Sequence, residues 1–233
     1  MRERGVLTLT SADGTEFSAA FAAPDEPAGT GVVLLPDVRG LHPFYVALAE
    51  QFARAGLPTL AIDYFGRTAG VAEGGVRAAD FAWQPHVQAA TADGVDADIA
   101  AAIAYLRERA GAGLPVVTVG FCLGGSQSWR QAGGDLDLAG CVGFYGKPSV
   151  VGDAAQRAHL PTVMIIAGAD AATPVADQLR LADRMRAAGA DVDATVYDDA
   201  PHSFFDRAHD EWAVACADAW RHVLALTDRV AAR

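Results

Sequence analysis

A cysteine between glycines gives the first indication of chemistry in this sequence. Cys122 lies in VGFCLGGSQS, after the apolar run PVVTVGF and before a helix-compatible segment. A sharp strand-to-helix turn of the Gly-x-Cys-x-Gly type presents its central residue as a nucleophile, at a helix N-terminus that favours a thiolate. The amide of Leu123 would then face the oxyanion of a tetrahedral intermediate. A buried structural cysteine in a glycine-rich turn is the alternative, and the pattern alone leaves both interpretations open.

A thiolate nucleophile needs an imidazole base and an acid that orients the imidazole. Among the six histidines, His202 is the one that follows a strand-like run, in DDAPHSFFD. Asp170, just beyond the run PTVMIIAG, is the candidate acid, with Asp198 and Asp199 as rivals beside the histidine. The order nucleophile, acid, base is that of α/β-hydrolases, and open α/β sheets bind ligands beyond the carboxyl ends of their strands. The sequence therefore predicts a triad of Cys122, His202 and Asp170.

The segment LLPDVRGLHPFY contains the candidate for a second oxyanion donor. It lies between the strand-like run GVVLLP and a predicted helix that begins at Pro43. The loop at this position normally supplies the second amide, for which Val38 is the candidate and Arg39 the alternative. For DVRG alone, an ordinary turn is the competing interpretation.

Strand-like and helical patterns alternate along the chain. GVLTLT and EFSAAFA, joined by SADG, predict an opening pair of strands, and six short apolar runs predict buried strands at 31–36, 58–63, 115–121, 139–146, 161–168 and 192–198. Helical spacing predicts three helices, at 91–110, 175–190 and 210–229. The apolar positions of the first are Val95, Ile99, Ile103 and Leu106, and those of the second are Leu179, Leu181 and Met185. The alternation predicts an α/β fold with a mostly parallel, doubly wound sheet flanked by helices, in a single domain over residues 1–233.

The longest irregular stretch runs from Phe65 to Thr91, about two dozen residues, and loops of this length in a compact domain tend to be functional. We expect it to overhang the active site as a partial lid. Substrate contacts are predicted, in and beside this stretch and after two later strands, for Tyr64, Arg67, Trp83, Tyr145 and Phe204.

Composition narrows the classes of partner. The formal charge of −11 disfavours nucleic acids and anionic membrane surfaces. The segment MRERGVLTLTSADG lacks a signal-peptide pattern, and the apolar runs are too short to cross a bilayer. Three cysteines without a CxxC pair predict reduced thiols, with Cys141 and Cys216 in the core. We therefore expect a cytoplasmic protein with no metal, nucleic-acid or membrane partner. Together with the predicted triad, this favours a small-molecule substrate, and monomer and homodimer both stay open.

The sequence resembles the dienelactone hydrolase (carboxymethylenebutenolidase) family over essentially the full chain, and the motifs that carry the resemblance are LLPDVRGLHPFY, AIDYFGR, VGFCLGG, GFYG, AGADAATP and PHSFF. The resemblance implies an α/β-hydrolase fold, with Cys122 as the nucleophile, His202 as the base and Asp170 as its orienting acid. Family members open an unsaturated lactone, dienelactone, to maleylacetate in the degradation of aromatic compounds, and they use no metal or cofactor. The expected activity is hydrolysis of a lactone or ester through a thioester acyl-enzyme.

Two positions depart from the pattern of this family. Asp37 stands where the family has a glutamate that contacts the thiol, and a turn or cap aspartate is its alternative role. Asp206 stands where the family has an arginine for the substrate carboxylate, so Arg67 or Arg77 would have to compensate. Asp206 favours one alternative to the dienelactone hydrolase function, namely an esterase or thioesterase that acts on neutral substrates. A non-catalytic small-ligand-binding protein of the same fold is the other.

Overall fold

The computed structural model describes residue 1, residues 3–26 and residues 29–232. The chain forms two compact units, Met1–Val116 and Val117–Arg233, called the first and the second unit below. Each unit has its own strands and helices. The single domain over residues 1–233 stays a prediction.

The first unit contains four strands, β1 (Glu3–Thr10), β2 (Glu16–Ala23), β3 (Gly31–Leu35) and β4 (Thr59–Ile62). They are ordered β1-β2-β4-β3. The β1–β2 and β2–β4 pairs are antiparallel, whereas β3 and β4 are parallel. Both parallel strands are buried along their whole length, as their uninterrupted apolar sequences predict. The opening pair of strands is confirmed.

The helices of the first unit are α1 (Pro43–Arg54), α2 (Gly66–Ala69), α3 (Gln84–Ala89) and α4 (Ala92–Ala110). The predicted helix at 91–110 is confirmed as α4. It begins after Thr91, whose side chain accepts a hydrogen bond from the Gly94 amide. The predicted apolar positions are all buried, namely Val95, Ile99, Ile103 and Leu106.

The stretch from Phe65 to Thr91 is not wholly irregular, and that prediction is wrong. It contains α2, α3 and a 3₁₀ turn at Glu73–Gly75. Each of these elements spans fewer than two helical turns, too short to show an apolar period in the sequence. Tertiary contacts, rather than helix propensity, must stabilise them. The role of the 65–91 stretch as a partial lid over the active site stays a prediction.

The second unit is built on parallel strands. In the order β5-β6-β7-β8 they are β5 (Val116–Phe121), which begins at the boundary residue, β6 (Gly140–Phe144), β7 (Thr162–Ala167) and β8 (Val192–Tyr197). All three neighbouring pairs are parallel. The helices are α5 (Leu123–Gln131), α6 (Pro148–Val151), α7 (Val175–Ala188) and α8 (Ala213–Ala231), with a 3₁₀ helix at Gly152–Arg157. The last helix begins three residues later than predicted.

One predicted core position in α7 is wrong. Leu181 and Met185 are buried, but Leu179 is 37% exposed. The buried stripe of α7 includes Gln178 and continues through Leu181 and Met185, at spacings of three and four residues. Leu179 follows Gln178 by one position and therefore lies about 100° away around the helix. A polar residue occupies the core position that the apolar pattern assigned to its neighbour.

Candidate active site

Cys122 lies at a strained turn between β5 and α5. Its backbone has φ 54° and ψ −110°, a conformation that residues with a side chain rarely adopt. The turn is tight, because a Cβ at Gly120 would lie 2.0 Å from the carbonyl oxygen of Gly124. The Cys122 amide donates to the Phe144 carbonyl at 3.0 Å. The predicted strand–turn–helix context of the cysteine is confirmed, and the side chain is partly exposed.

Ser126, in the first turn of α5, stabilises this arrangement and was not identified from the sequence. Its hydroxyl donates to the Cys122 carbonyl at 2.9 Å and accepts from the Lys147 amide at 2.7 Å. The spacing of four residues in CLGGS permits the first bond in a helix. The second bond depends on the loop after β6, which is distant along the chain, so no local pattern in the sequence indicates it.

His202 and Asp170 form a short hydrogen bond. His202 Nδ1 lies 2.7 Å from Asp170 Oδ2, while Asp170 Oδ1 accepts from the amides of Ala172 and Thr173 at 2.8 and 3.2 Å. Both carboxylate oxygens therefore have donors. The Asp170 side chain is fully buried and the imidazole is 31% exposed. Among the candidate acids, Asp170 is the one in contact with His202.

The titration of this pair is shifted by its surroundings. Burial lowers the pKa of His202, but hydrogen bonds and charge from Asp170 and from Cys122 outweigh burial and raise it to about 10. Burial raises the pKa of Asp170, but the bond from His202 and the two backbone amides lower it overall. Because Nδ1 faces Asp170, Nε2 is the nitrogen available to the sulfur. The electrostatics favour the protonated imidazolium form of His202.

Tyr145 packs against the histidine. Its ring centroid lies 4.9 Å from that of His202, and its side chain is almost fully buried. Phe204 is fully buried, with its ring centroid 5.9 Å from that of Tyr145. Contact of these two rings with substrate stays a prediction, whereas contact between Tyr145 and His202 is a feature that the sequence did not indicate.

Backbone strain concentrates around these residues. Among the described residues other than glycine, positive φ angles occur at Cys122, Tyr145, Asp199 and Ser203. Ser203 follows His202 directly, and Asp199 lies in the same loop after β8. Such strain is commonly retained at functional sites, where the surrounding structure holds an unfavourable conformation.

The other two thiols differ from Cys122. Cys141 and Cys216 are buried in β6 and α8, as predicted. Burial raises the pKa of Cys141 to about 12, against a smaller opposing effect of a bond with Thr118. Burial, with the nearby Asp206 charge, raises the pKa of Cys216 to about 11. Neither thiol is suited to act as a nucleophile at neutral pH.

The segment after β3 presents one unbonded amide. Both carboxylate oxygens of the buried Asp37 accept from the Arg39 guanidinium, with Nε at 3.0 and 2.9 Å. The Arg39 amide also donates to Asp37 Oδ1, at 2.8 Å. The amide of Val38 has no hydrogen-bond partner in the part of the chain that the structure describes. Of the two candidate oxyanion donors, Val38 is thus the one that is available.

Arg67 and Arg77, considered from the sequence as substrate ligands, have carboxylate partners in the first unit. Arg67 donates to Asp98 at 2.8 Å and also contacts Asp13. Arg77 donates to the buried Asp63 at 2.7 Å. Their charges are therefore already balanced, and a role for Arg67 in substrate binding stays a prediction.

Two aromatic candidates lie in the same unit. Tyr64 is buried and its hydroxyl donates to the Pro36 carbonyl. Trp83 is half-buried and precedes α3. Substrate contact stays a prediction for both.

The described residues contain neither a metal-binding cluster nor a membrane-spanning helix. No group of three or more His, Cys, Asp or Glu side chains there is arranged to hold a metal ion. No helix in those ranges combines the length and the apolar character that a membrane span requires.

Comparison with known proteins gives one family. The model of the family described as "Dienelactone hydrolase family" matches residues 17–230. A protein of Salmonella typhi, assigned by name as a carboxymethylenebutenolidase, is 24% identical over 235 residues, which cover 94% of this chain and 84% of the relative.

Solved structures show the same fold. A Klebsiella pneumoniae protein assigned by name as a dienelactone hydrolase has a TM-score of 0.79 at 22% identity, over 96% of this chain and 99% of the other. The dienelactone hydrolase from Anabaena variabilis has a TM-score of 0.70 at 16% identity, over 93% and 95%. At these identities the likeness establishes the α/β-hydrolase fold, and the predicted fold class is confirmed.

Proposed function

The chain belongs to the dienelactone hydrolase family, and is a hydrolase; we propose that it hydrolyses carboxylic esters or lactones with Cys122 as nucleophile, His202 as base and Asp170 as orienting acid. One observation carries the proposal. Nδ1 of the His202 ring is hydrogen-bonded to Asp170, and burial of the ring is outweighed by hydrogen bonds and charge from Asp170 and Cys122, which raise its pKa to about 10. A nucleophile, a base and an orienting acid in this relation are what acyl transfer requires.

In the first step, the Cys122 thiolate attacks the carbonyl carbon. The C=O electron pair moves to oxygen, and the resulting oxyanion accepts a hydrogen bond from the Leu123 amide, which has no partner within α5 because it opens the helix. The Val38 amide is the predicted second donor. Collapse of the intermediate breaks the ester C–O bond and leaves a thioester on the sulfur.

His202 carries the proton in both halves of the reaction. The imidazolium donates its Nε2 proton to the departing oxygen. The neutral ring then takes a proton from water as that water attacks the thioester. The thiolate leaves and the acid product is released. Asp170 keeps the ring in the tautomer that this exchange needs.

The proposed substrates have good leaving groups. A dienelactone releases an enolate, which departs readily, whereas an amide nitrogen departs poorly from a thiol-derived intermediate. Peptides are therefore not proposed as substrates. Neutral esters and thioesters are the second candidate class, because Asp206 replaces the arginine that the family resemblance would place there.

The test is the variant Cys122→Ala, assayed with a dienelactone, a neutral lactone and p-nitrophenyl esters. We expect kcat/KM to fall by more than roughly a thousandfold, since no other group supplies the nucleophile. Cys141→Ala, which removes a buried thiol from β6, is the matched control and should retain activity. Retained hydrolysis by Cys122→Ala would refute the mechanism.

Alkylation with iodoacetamide gives an independent readout. At neutral pH, mass spectrometry should find Cys122 labelled well before the two buried thiols. Slow labelling of Cys122, together with ligand binding but no hydrolysis, would instead indicate a non-catalytic binding protein.

A further inference from the structure

A cavity of about 370 Å³ lies in the second unit, close to the loops that carry the proposed triad. Its walls come from the loop after β6, α6 and the residue that follows it, the loop after β7, and one side of α7. The charged side chains among its lining residues are Lys147, Asp177, Arg180 and Arg184. Three of these four are cations, in a protein whose formal charge is −11. The cavity is thus a local exception to the overall charge.

Two of the three cations have no carboxylate partner among the described residues. Arg180 forms an ion pair with Asp177. Lys147, the only lysine in the sequence, forms no ion pair with any described residue. Arg184 donates to the carbonyl of Gly152 at 2.7 Å and likewise pairs with no carboxylate in the described ranges. Two positive charges therefore remain unbalanced at the cavity.

Short contacts join the cavity to both ends of the triad. The Lys147 amide donates to Ser126 Oγ, whose hydroxyl donates to the Cys122 carbonyl. On the other side, Thr173 lines the cavity while its amide donates to Asp170. The cavity therefore borders the loops that hold the nucleophile and the acid, without including either side chain.

From this geometry we infer that the cavity binds an anionic group at the far end of the substrate, with Lys147 and Arg184 as its ligands. The inference rests on the proposed hydrolase function and specifies part of its substrate class. A carboxylate or a phosphate on the acyl chain would balance the two unpaired cations. Binding energy from a group distant from the scissile bond lowers KM or positions the carbonyl at the thiol.

The test compares two esters of equal acyl length, mono-p-nitrophenyl glutarate and p-nitrophenyl pentanoate. The first carries a carboxylate where the second carries a methyl group. We expect Lys147→Met and Arg184→Met each to lower the glutarate-to-pentanoate ratio of kcat/KM by up to about fivefold, as for partly exposed ion pairs. The change should appear mainly in KM.

Arg157→Met is the matched control. Arg157 is an exposed arginine of the second unit that does not line the cavity, so its loss removes the same charge elsewhere. Its ratio should equal that of the wild type. An unchanged ratio in both cavity variants, or an equal fall in Arg157→Met, overturns the subsite.

Calorimetry with glutarate separates failure of the subsite from failure of the proposed function. If neither ester is hydrolysed but Lys147→Met and Arg184→Met weaken glutarate binding, the hydrolase proposal fails and the anion site stands. If the esters are hydrolysed but Lys147→Met and Arg184→Met leave the glutarate-to-pentanoate ratio of kcat/KM unchanged, the subsite proposal fails and the hydrolase proposal stands. A further outcome is that inorganic phosphate binds as tightly as glutarate while the two variants leave the ratio of kcat/KM unchanged. That result would show a general anion site and overturn the proposal that the cavity binds part of the substrate.

Discussion

Buried aspartates have different partners in the two units. In the first unit, three of them face arginines, in the pairs Asp37–Arg39, Asp63–Arg77 and Asp98–Arg67. In the second unit, Asp170 faces an imidazole and two backbone amides.

The difference lies in whether the partner can exchange a proton. A guanidinium stays charged at any accessible pH, so an aspartate–arginine pair holds chain segments together and takes part in no proton transfer. An imidazole can gain and lose a proton, so a carboxylate beside it can orient the ring and stabilise its protonated form. The following substitutions test whether carboxylates of the first unit act on stability and Asp170 acts on catalysis.

The largest expected effect is that of Asp170→Asn. The amide cannot stabilise the imidazolium or select its tautomer, so kcat should fall by roughly a thousandfold or more. Ester hydrolysis checks this, with circular dichroism as the control for folding. A fall below about tenfold would remove Asp170 from the triad.

Asp63→Asn should act on stability instead. Burial raises the pKa of Asp63 although the Arg77 charge opposes it, and loss of the carboxylate leaves a buried guanidinium unpaired. We expect the free energy of unfolding in urea to drop by about 3–5 kcal/mol. The double variant Asp63→Asn/Arg77→Met should recover part of the loss, and no recovery would contradict a pairwise origin.

The His202–Asp170 pair should also make stability depend on pH. The folded-state pKa of His202 is raised from 6.5 to about 10. Its contribution is therefore fully present below pH 6.5 and is lost as the pH rises through 10. Unfolding free energies should fall by about 2 kcal/mol across this window, reduced by solvent screening. The slope should flatten in His202→Gln, and an equal slope in that variant would assign it to other groups.

The smallest effect is expected for Asp37→Asn. Because Arg39 occupies both carboxylate oxygens, the substitution should cost about 1 kcal/mol of stability and change kcat/KM by less than about threefold. Arg39→Met should have a similar cost. A much larger loss of activity in Asp37→Asn alone would mean that this carboxylate acts on the thiol, as the family resemblance implies.

Much of the fold could be predicted from the sequence because its strands are short apolar runs between Gly, Pro and Asp. All eight predicted strands are present, and α4 has its predicted buried face. The error at Leu179 arose because an apolar residue can lie beside the buried stripe. The two short helices within 65–91 were missed because a helix of fewer than two turns is too short to show a helical period of apolar residues in the sequence.

The candidate site could be predicted from the sequence to the extent that single residues define it. Cys122 was identified by flanking glycines, and His202 and Asp170 by their positions after strands. The contacts that support them were not, because they join segments distant along the chain. Ser126 bonds to the loop of Lys147, and Tyr145 packs on His202.

The sequence by itself therefore determined the candidate reactive groups and their order along the chain, since a Gly-x-Cys-x-Gly turn and residues that follow strands are local features. Only the tertiary structure decided which carboxylate meets His202 and which arginines are already paired. It also decided that two cations, Lys147 and Arg184, share one cavity. Charge pairing depends on distances between segments, and only the folded chain sets those distances.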